Sequence, residues 1–135
     1  MIVVDTNIIA YLLIPGKKTA EAEKVFKRDS QWSSSRLWRS EFRNVLINYL
    51  RHEYIDLIQA FDIMNKAELL MKGREFEVPS PAILSTSFNS KCNAYDCEFV
   101  VLAKELGVKL ITTDKLVLRE FPAASISIDA YLSNN

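Results

Sequence analysis

Asp5, Glu41, Asp96 and Asp114 are the residues of this 135-residue chain best suited by type and position to do chemistry. Asp5 ends the apolar run Ile2-Val3-Val4, and Asp114 ends a second run, Leu110-Ile111-Thr112-Thr113. If both runs are parallel strands of one sheet, they finish at the same edge, where open α/β sheets gather their ligands. Glu41 and Asp96 fall on predicted helices between them. Four carboxylates at one edge repel one another unless a positive charge sits among them. The arrangement therefore predicts a site for a hard divalent cation, Mg²⁺ or Mn²⁺, which prefers oxygen ligands. Such an ion makes a bound water more acidic and neutralises charge on a phosphoryl centre, so no Ser, Cys or His nucleophile is required. The only histidine, His52, lies between Arg51 and Glu53 near a helix end and reads as a surface residue.

Each acid also has a plainer explanation. Asp5 and Asp114 suit the capping positions of the helical segments that follow them. Asp96, three residues after Asn93, suits a capping box or a charge facing the helix dipole. Helical periodicity weighs against a merely decorative role for Glu41 and Asp96. At about 100° per residue, Glu41 lies about 80° from the centre of the stripe Trp38, Phe42, Val45, Leu46, Tyr49. Asp96 lies at the edge of the stripe Tyr95, Phe99, Leu102, Ala103, Leu106 in the same way. Thr6, Asn7, Thr112 and Thr113 flank the strand-end aspartates and are candidates to orient them by hydrogen bonds. Arg36, Arg39 and Arg43 form a stripe about 160° around their helix from Glu41, away from the acids. Lys17, Lys18, Lys24, Lys27 and Arg28 lie near the opening of the first helices, where they could meet phosphates or simply face solvent.

The elements that must position these residues are legible in outline. Strand 2–4 leads to helix 7–14, the turn Pro15-Gly16 and helix 19–28. A short strand near 31–33 precedes two long helices, 37–53 and 55–72, the second stopped by Gly73. Pro79 and Pro81 open a short helix. Asn93 caps helix 94–106, and Gly107 stops it. Strand 108–112, a helical turn at 115–120 and a short strand at 125–128 complete the chain. Strands alternating with helices predict an α/β fold, a mostly parallel sheet with helices on both faces.

At 135 residues and 49% hydrophobic the chain is read as one domain, 1–135, with a sizeable core. Its formal net charge is zero, so no strongly basic field advertises nucleic acid. Of 17 acidic residues, removing the four convergent ones leaves 13 against 17 basic, a mildly positive surface around a negative cleft. No leader or membrane-spanning run is expected. Cys92 and Cys97, with no second pair, read as free thiols in a reducing cytoplasm rather than zinc ligands. Three glycines leave no phosphate-cradling loop. A receiver domain would want an acidic pair where Asp5-Thr6 stands, and a dehalogenase-like phosphatase would want a second Asp where Asn7 stands.

Asp5-Thr6-Asn7 after the first strand, Glu41 early in a long helix, Tyr95-Asp96 opening the helix that runs on to Gly107, and Thr112-Thr113-Asp114 after the next strand resemble a PIN domain. Size and order resemble the toxin half of VapBC-type toxin–antitoxin pairs, over about residues 1–132. The resemblance implies a three-layer α/β/α sandwich and an Mg²⁺- or Mn²⁺-dependent ribonuclease with Asp5, Glu41, Asp96 and Asp114 as metal-binding acids. Thr6, Asn7 and Thr113 would support them. It further implies an RNA substrate, a small VapB-type antitoxin whose tail fills the cleft, and a homodimer, for which Trp32, Trp38 and Phe61 are candidate exposed apolar contacts. One position departs: Val117 stands where many relatives have an aromatic, with Phe121 one turn later. A noncatalytic module on the same fold, or an RNA-processing nuclease that is not a toxin, are the alternatives.

Overall fold

The computed structural model describes residues 1–134. Five short strands form one sheet: β1 (Ile2–Val4), β2 (Trp32–Ser35), β3 (Glu75–Phe76), β4 (Leu110–Ile111) and β5 (Ser125–Ile126). Every pairing is parallel, and the strand order is β3-β2-β1-β4-β5. Eight helices connect and cover them: α1 (Thr6–Leu13), α2 (Thr19–Arg28), α3 (Leu37–Arg51), α4 (Leu57–Met71), α5 (Ser80–Phe88), α6 (Ala94–Leu106), α7 (Lys115–Glu120) and α8 (Ile128–Ser133). α1, α3 and α4 pack together on one face, while α6, backed by α5, lies across β1, β2 and β4 on the other. The result is the expected three-layer sandwich.

Parallel strands buried on both faces should be apolar throughout. β1 and β4 obey, with all five residues buried. β2 does not: Ser33, Ser34 and Ser35 are buried hydroxyls. Ser34 donates to the Val4 carbonyl at 2.7 Å, and Ser35 donates to Glu98 at 2.8 Å while accepting from the Leu37 amide. Satisfied in this way, Ser34 and Ser35 avoid most of the cost of burying a polar group, on the order of 1–3 kcal/mol each.

The core corrects one expectation. Trp32 and Trp38 are fully buried, whereas Phe61 is 64% exposed. Burial is tolerable because each indole N–H finds an acceptor: Trp32 donates to the Asp29 carbonyl and Trp38 to Glu75, both at 2.8 Å. Trp38 also meets Phe42 edge-to-face, with centroids 5.8 Å apart. Each buried aromatic contributes roughly 2–3 kcal/mol of apolar transfer free energy. Val117 is buried and Phe121 packs half-buried on the same core.

Helix ends shift for local reasons. α4 begins at Leu57, not 55, because Asp56 and Gln59 form a reciprocal capping box. α3 ends at Arg51, short of 53, because Glu53 turns left-handed at φ 59° and the Tyr54 amide reaches back to Tyr49. Asn93 caps α6, and Gly107 ends it at φ 67°. Two elements were not anticipated. β3 is a two-residue strand held at the sheet edge by Arg39, and α8 follows β5 where the strand near 125–128 was expected to continue.

Candidate active site

The chain builds outward from β1 in one direction to β2 and β3, then returns to the other side of β1 for β4 and β5. The reversal leaves a crevice between the carboxyl ends of β1 and β4, the place where such sheets hold ligands. Asp5 follows β1 there, and Asp114 lies just past β4. α3 starts from the same edge because it leaves β2, and α6 starts there because it runs back to feed β4. Glu41 and Asp96, both near the starts of those helices, are thus delivered to one place. The four acids line a single cleft of about 250 Å³ together with Thr6, Asn7, Asn44, Val45 and Phe99. No Lys, Arg or His is among its lining residues.

Each carboxylate is held differently. Asp5 caps α1, accepting from the Ile8 amide, and its other oxygen accepts the Thr112 hydroxyl. The Thr6 hydroxyl donates to Glu41 at 2.6 Å. Asp114 caps α7, one oxygen accepting from both the Leu116 and Val117 amides at 2.9 and 3.0 Å. Asp96 does not complete a capping box. Its backbone amide donates to the Asn93 side chain, while its own carboxylate has no donor among the described residues. The two supporting threonines at the end of β4 separate by function: Thr112 serves Asp5, whereas the Thr113 hydroxyl lies 3.4 Å from that of Tyr11. Asn7 is exposed on the rim.

Burial raises Asp5, Glu41 and Asp96, and the charges of neighbouring acids add to the rise. Burial, only partly offset by the Thr112 and Ile8 hydrogen bonds, pushes Asp5 from 3.8 up to about 6, with Glu41 and Asp114 adding to the rise. Although the residue keeps some accessible surface, its carboxyl sits deep among protein atoms. Glu41 is raised by burial, against the Thr6 bond, and further by Asp96 and Glu98. Asp96 is raised by burial and by Asp114. Glu98, held by Ser35, is a fifth acid at this edge that sequence reasoning missed, and Asn44 is a second omission. The buried serine run before Glu41 was the available signal for Glu98, since such hydroxyls need acceptors.

The donor set is wholly oxygen, which fits a hard cation and not a soft one. Among the described residues no group of three acids, histidines or cysteines converges tightly enough to cage an ion by itself. That suits Mg²⁺, which keeps several waters and takes one or two carboxylates at a time. Cys92 and Cys97 are free, buried and outside the cleft. His52 is exposed, its ring bonded to the Asn48 carbonyl and stacked on Tyr54. Arg39 is turned away from the cleft, bound to Glu75 and Glu68.

The PIN domain family model matches residues 2–122. The chain belongs to the PIN domain family. It is 28% identical over 127 residues to Ribonuclease VapC3 of Pyrobaculum aerophilum, covering 90% of this chain and 95% of that protein. In fold it resembles PAE2754 of the same organism, with a TM-score of 0.76, 20% identity, and 97% of this chain and 92% of that one covered. It also resembles a chain of a toxin–antitoxin complex from Klebsiella pneumoniae, with a TM-score of 0.68, 15% identity, and 95% and 98% covered. Among the described residues of this PIN domain, no helix is long and apolar enough to cross a membrane.

Proposed function

We propose that this PIN domain, read as one unit over 1–135, is an Mg²⁺- or Mn²⁺-dependent endoribonuclease and the toxin of a type II toxin–antitoxin pair. The observation that carries the reading is the cleft itself: four carboxylates lining one space, with no cation and no Ser–His or Cys–His pair among them. Likeness to Ribonuclease VapC3 supports RNA as the substrate. A divalent ion bound there would acidify a coordinated water and neutralise charge on the scissile phosphate. The protein's part is to hold its acids still. Two cap amides fix one oxygen of Asp114, leaving the other for the ion. Thr6 fixes one oxygen of Glu41, and Thr112 with the Ile8 amide orients Asp5. Asp96, with no donor among the described residues, is the most open ligand.

Exposed apolar surface supports partners. Leu57, Ile58 and Phe61 crowd one side of α4, while Leu84, Phe88 and Tyr95 stand out from α5 and the start of α6. Two such patches suit a small antitoxin on one and a second copy of the chain on the other. The two reduced thiols suit the cytoplasm.

Cleavage of a single-stranded or loop-bearing RNA by the purified protein, with Mg²⁺ and then with EDTA, tests the activity. Asp114→Asn keeps the helix cap, because Asn caps about as well as Asp, and should lower the rate by a factor of roughly 10² or more. Cleavage that survives both EDTA and this substitution refutes the mechanism.

A further inference from the structure

The acidic cleft continues past its own rim. Asn7 and Val45 border it and also line a second cavity of about 320 Å³, formed between α1, α3 and the loop entering α2. The chemistry reverses there. Tyr11 and Tyr49 supply aromatic surface, Lys17 and Lys18 supply charge, and no acid lines the cavity. Among the described residues neither lysine makes an ion pair. The Lys18 ammonium instead stands 5.7 Å from the Tyr11 ring centroid. Tyr11 joins the two compartments, since its hydroxyl lies 3.4 Å from that of Thr113, the neighbour of Asp114.

A polyanion entering a cleft walled by carboxylates needs cations on either side of the reacting centre, and the cleft has none of its own. Lys17 and Lys18 line the cavity that adjoins it along α1 and α3. Tyr11 and Tyr49 pack partly against the core and still line the cavity; the surface they leave there can be stacked on by an unpaired base, whereas a base inside a duplex is already stacked on both sides. We infer that this cavity is the subsite for a nucleotide adjoining the scissile phosphodiester of single-stranded RNA, with Lys17 and Lys18 meeting the phosphate and Tyr11 and Tyr49 the base. This assignment rests on reading the acidic cleft as a ribonuclease site. It adds that the residues holding the nucleotide next to the scissile bond lie outside the acid set.

The test measures binding apart from cleavage. A labelled single-stranded RNA of about ten nucleotides, within the usual span of such sites, is titrated in EDTA with the parent chain and with the exposed pair Lys17→Ala/Lys18→Ala. The double variant should bind about tenfold more weakly, and the slope of log affinity against log salt should fall by about 0.7 for each phosphate that no longer meets a lysine. Tyr11→Leu should bind several-fold more weakly than Tyr11→Phe, which keeps the ring. In Mg²⁺ the lysine variant should raise KM and spare kcat. A duplex of equal length should bind more weakly than the single strand. Parental affinity and salt slope in the double variant, or equal weakening on duplex and single strand, overturn the subsite. A parent chain that binds no RNA overturns it too. Failure of the ribonuclease reading looks different: RNA is bound in a lysine-dependent way, but no Mg²⁺-dependent cleavage follows.

Discussion

Replacing Asp5 with Asn should make the ion-free protein more stable relative to the parent as the pH rises. Asp5 is shifted from 3.8 to about 6 in the folded chain, mainly by burial. An acid raised in this way stabilises the fold while it is protonated and loses that contribution as pH climbs through the folded value. At about 1.36 kcal/mol per pH unit, the shift amounts to an upper limit of about 3 kcal/mol lost by pH 7.5, roughly half of it already at pH 5. Asp5→Asn removes this titration but weakens the bonds from Thr112 and Ile8, a cost of roughly 1 kcal/mol each that does not depend on pH. The absolute change near neutrality is then small. The pH dependence carries the signal: the stability difference between variant and parent should widen by roughly 1–2 kcal/mol between pH 5 and 7.5. At roughly 3–5 °C per kcal/mol for a chain of this size, the gap in Tm grows by several degrees. Thermal melts in EDTA across that range measure it directly. A gap that stays flat with pH refutes the raised Asp5 value, and with it the claim that burial of this carboxyl is what raises it.

Three further outcomes follow from the same structure. Asp96→Asn should melt above the parent in EDTA, and added Mg²⁺ should raise the parent's Tm more than the variant's, because an ion stabilises only the state that binds it. Gly107 and Glu53 share a left-handed backbone at φ 67° and 59°, so substitutions there should have opposite signs: Gly107→Ala should cost about 1 kcal/mol by urea unfolding, while Glu53→Gly should gain a few tenths. A Cβ at Gly107 meets nothing within 4 Å, so its cost would be purely conformational. Arg39→Ala should cost on the order of 1–3 kcal/mol, because it leaves Glu75 beside the Trp38 indole with its main cation gone; an unchanged urea midpoint would contradict this.

Long periodic segments and chemically marked helix starts were readable from sequence alone. α6 shows both: an Asn93 cap, an apolar stripe and a terminal glycine, each a local property of the residues themselves. β3 shows the opposite. Glu75-Phe76 carries no alternation and is too short to have any, and it becomes a strand only because Arg39, on a distant helix, binds Glu75 while the Ser34 and Arg36 amides donate to the backbone at Arg74 and Phe76. The tryptophans failed for a related reason. A large amphipathic ring reads equally well as interface or core, and the decision lies with acceptors 3 and 37 residues away, the Asp29 carbonyl and Glu75.

The acid cleft was legible because topology, not contact chemistry, brings its members together. Once β1 and β4 are parallel neighbours on either side of the reversal in strand order, Asp5 and Asp114 must share an edge, and helices that begin there must carry Glu41 and Asp96 to it. What holds the acids in place was legible only as a set of flanking candidates, Thr6, Asn7, Thr112 and Thr113, and Thr112 shows why. Thr112 and Thr113 are identical and adjacent, but side chains alternate along an extended strand. Thr112 is 1% exposed; its hydroxyl donates to Asp5 and accepts from the Asp114 amide at 3.0 Å. Thr113 points the other way, toward Tyr11. Which of the two serves the site depends on the register of β4 against β1, Val4 opposite Ile111, and only the assembled sheet sets that register. One buried hydroxyl thereby ties both strand-end aspartates to a single anchor, so that moving either acid strains the seat of the other.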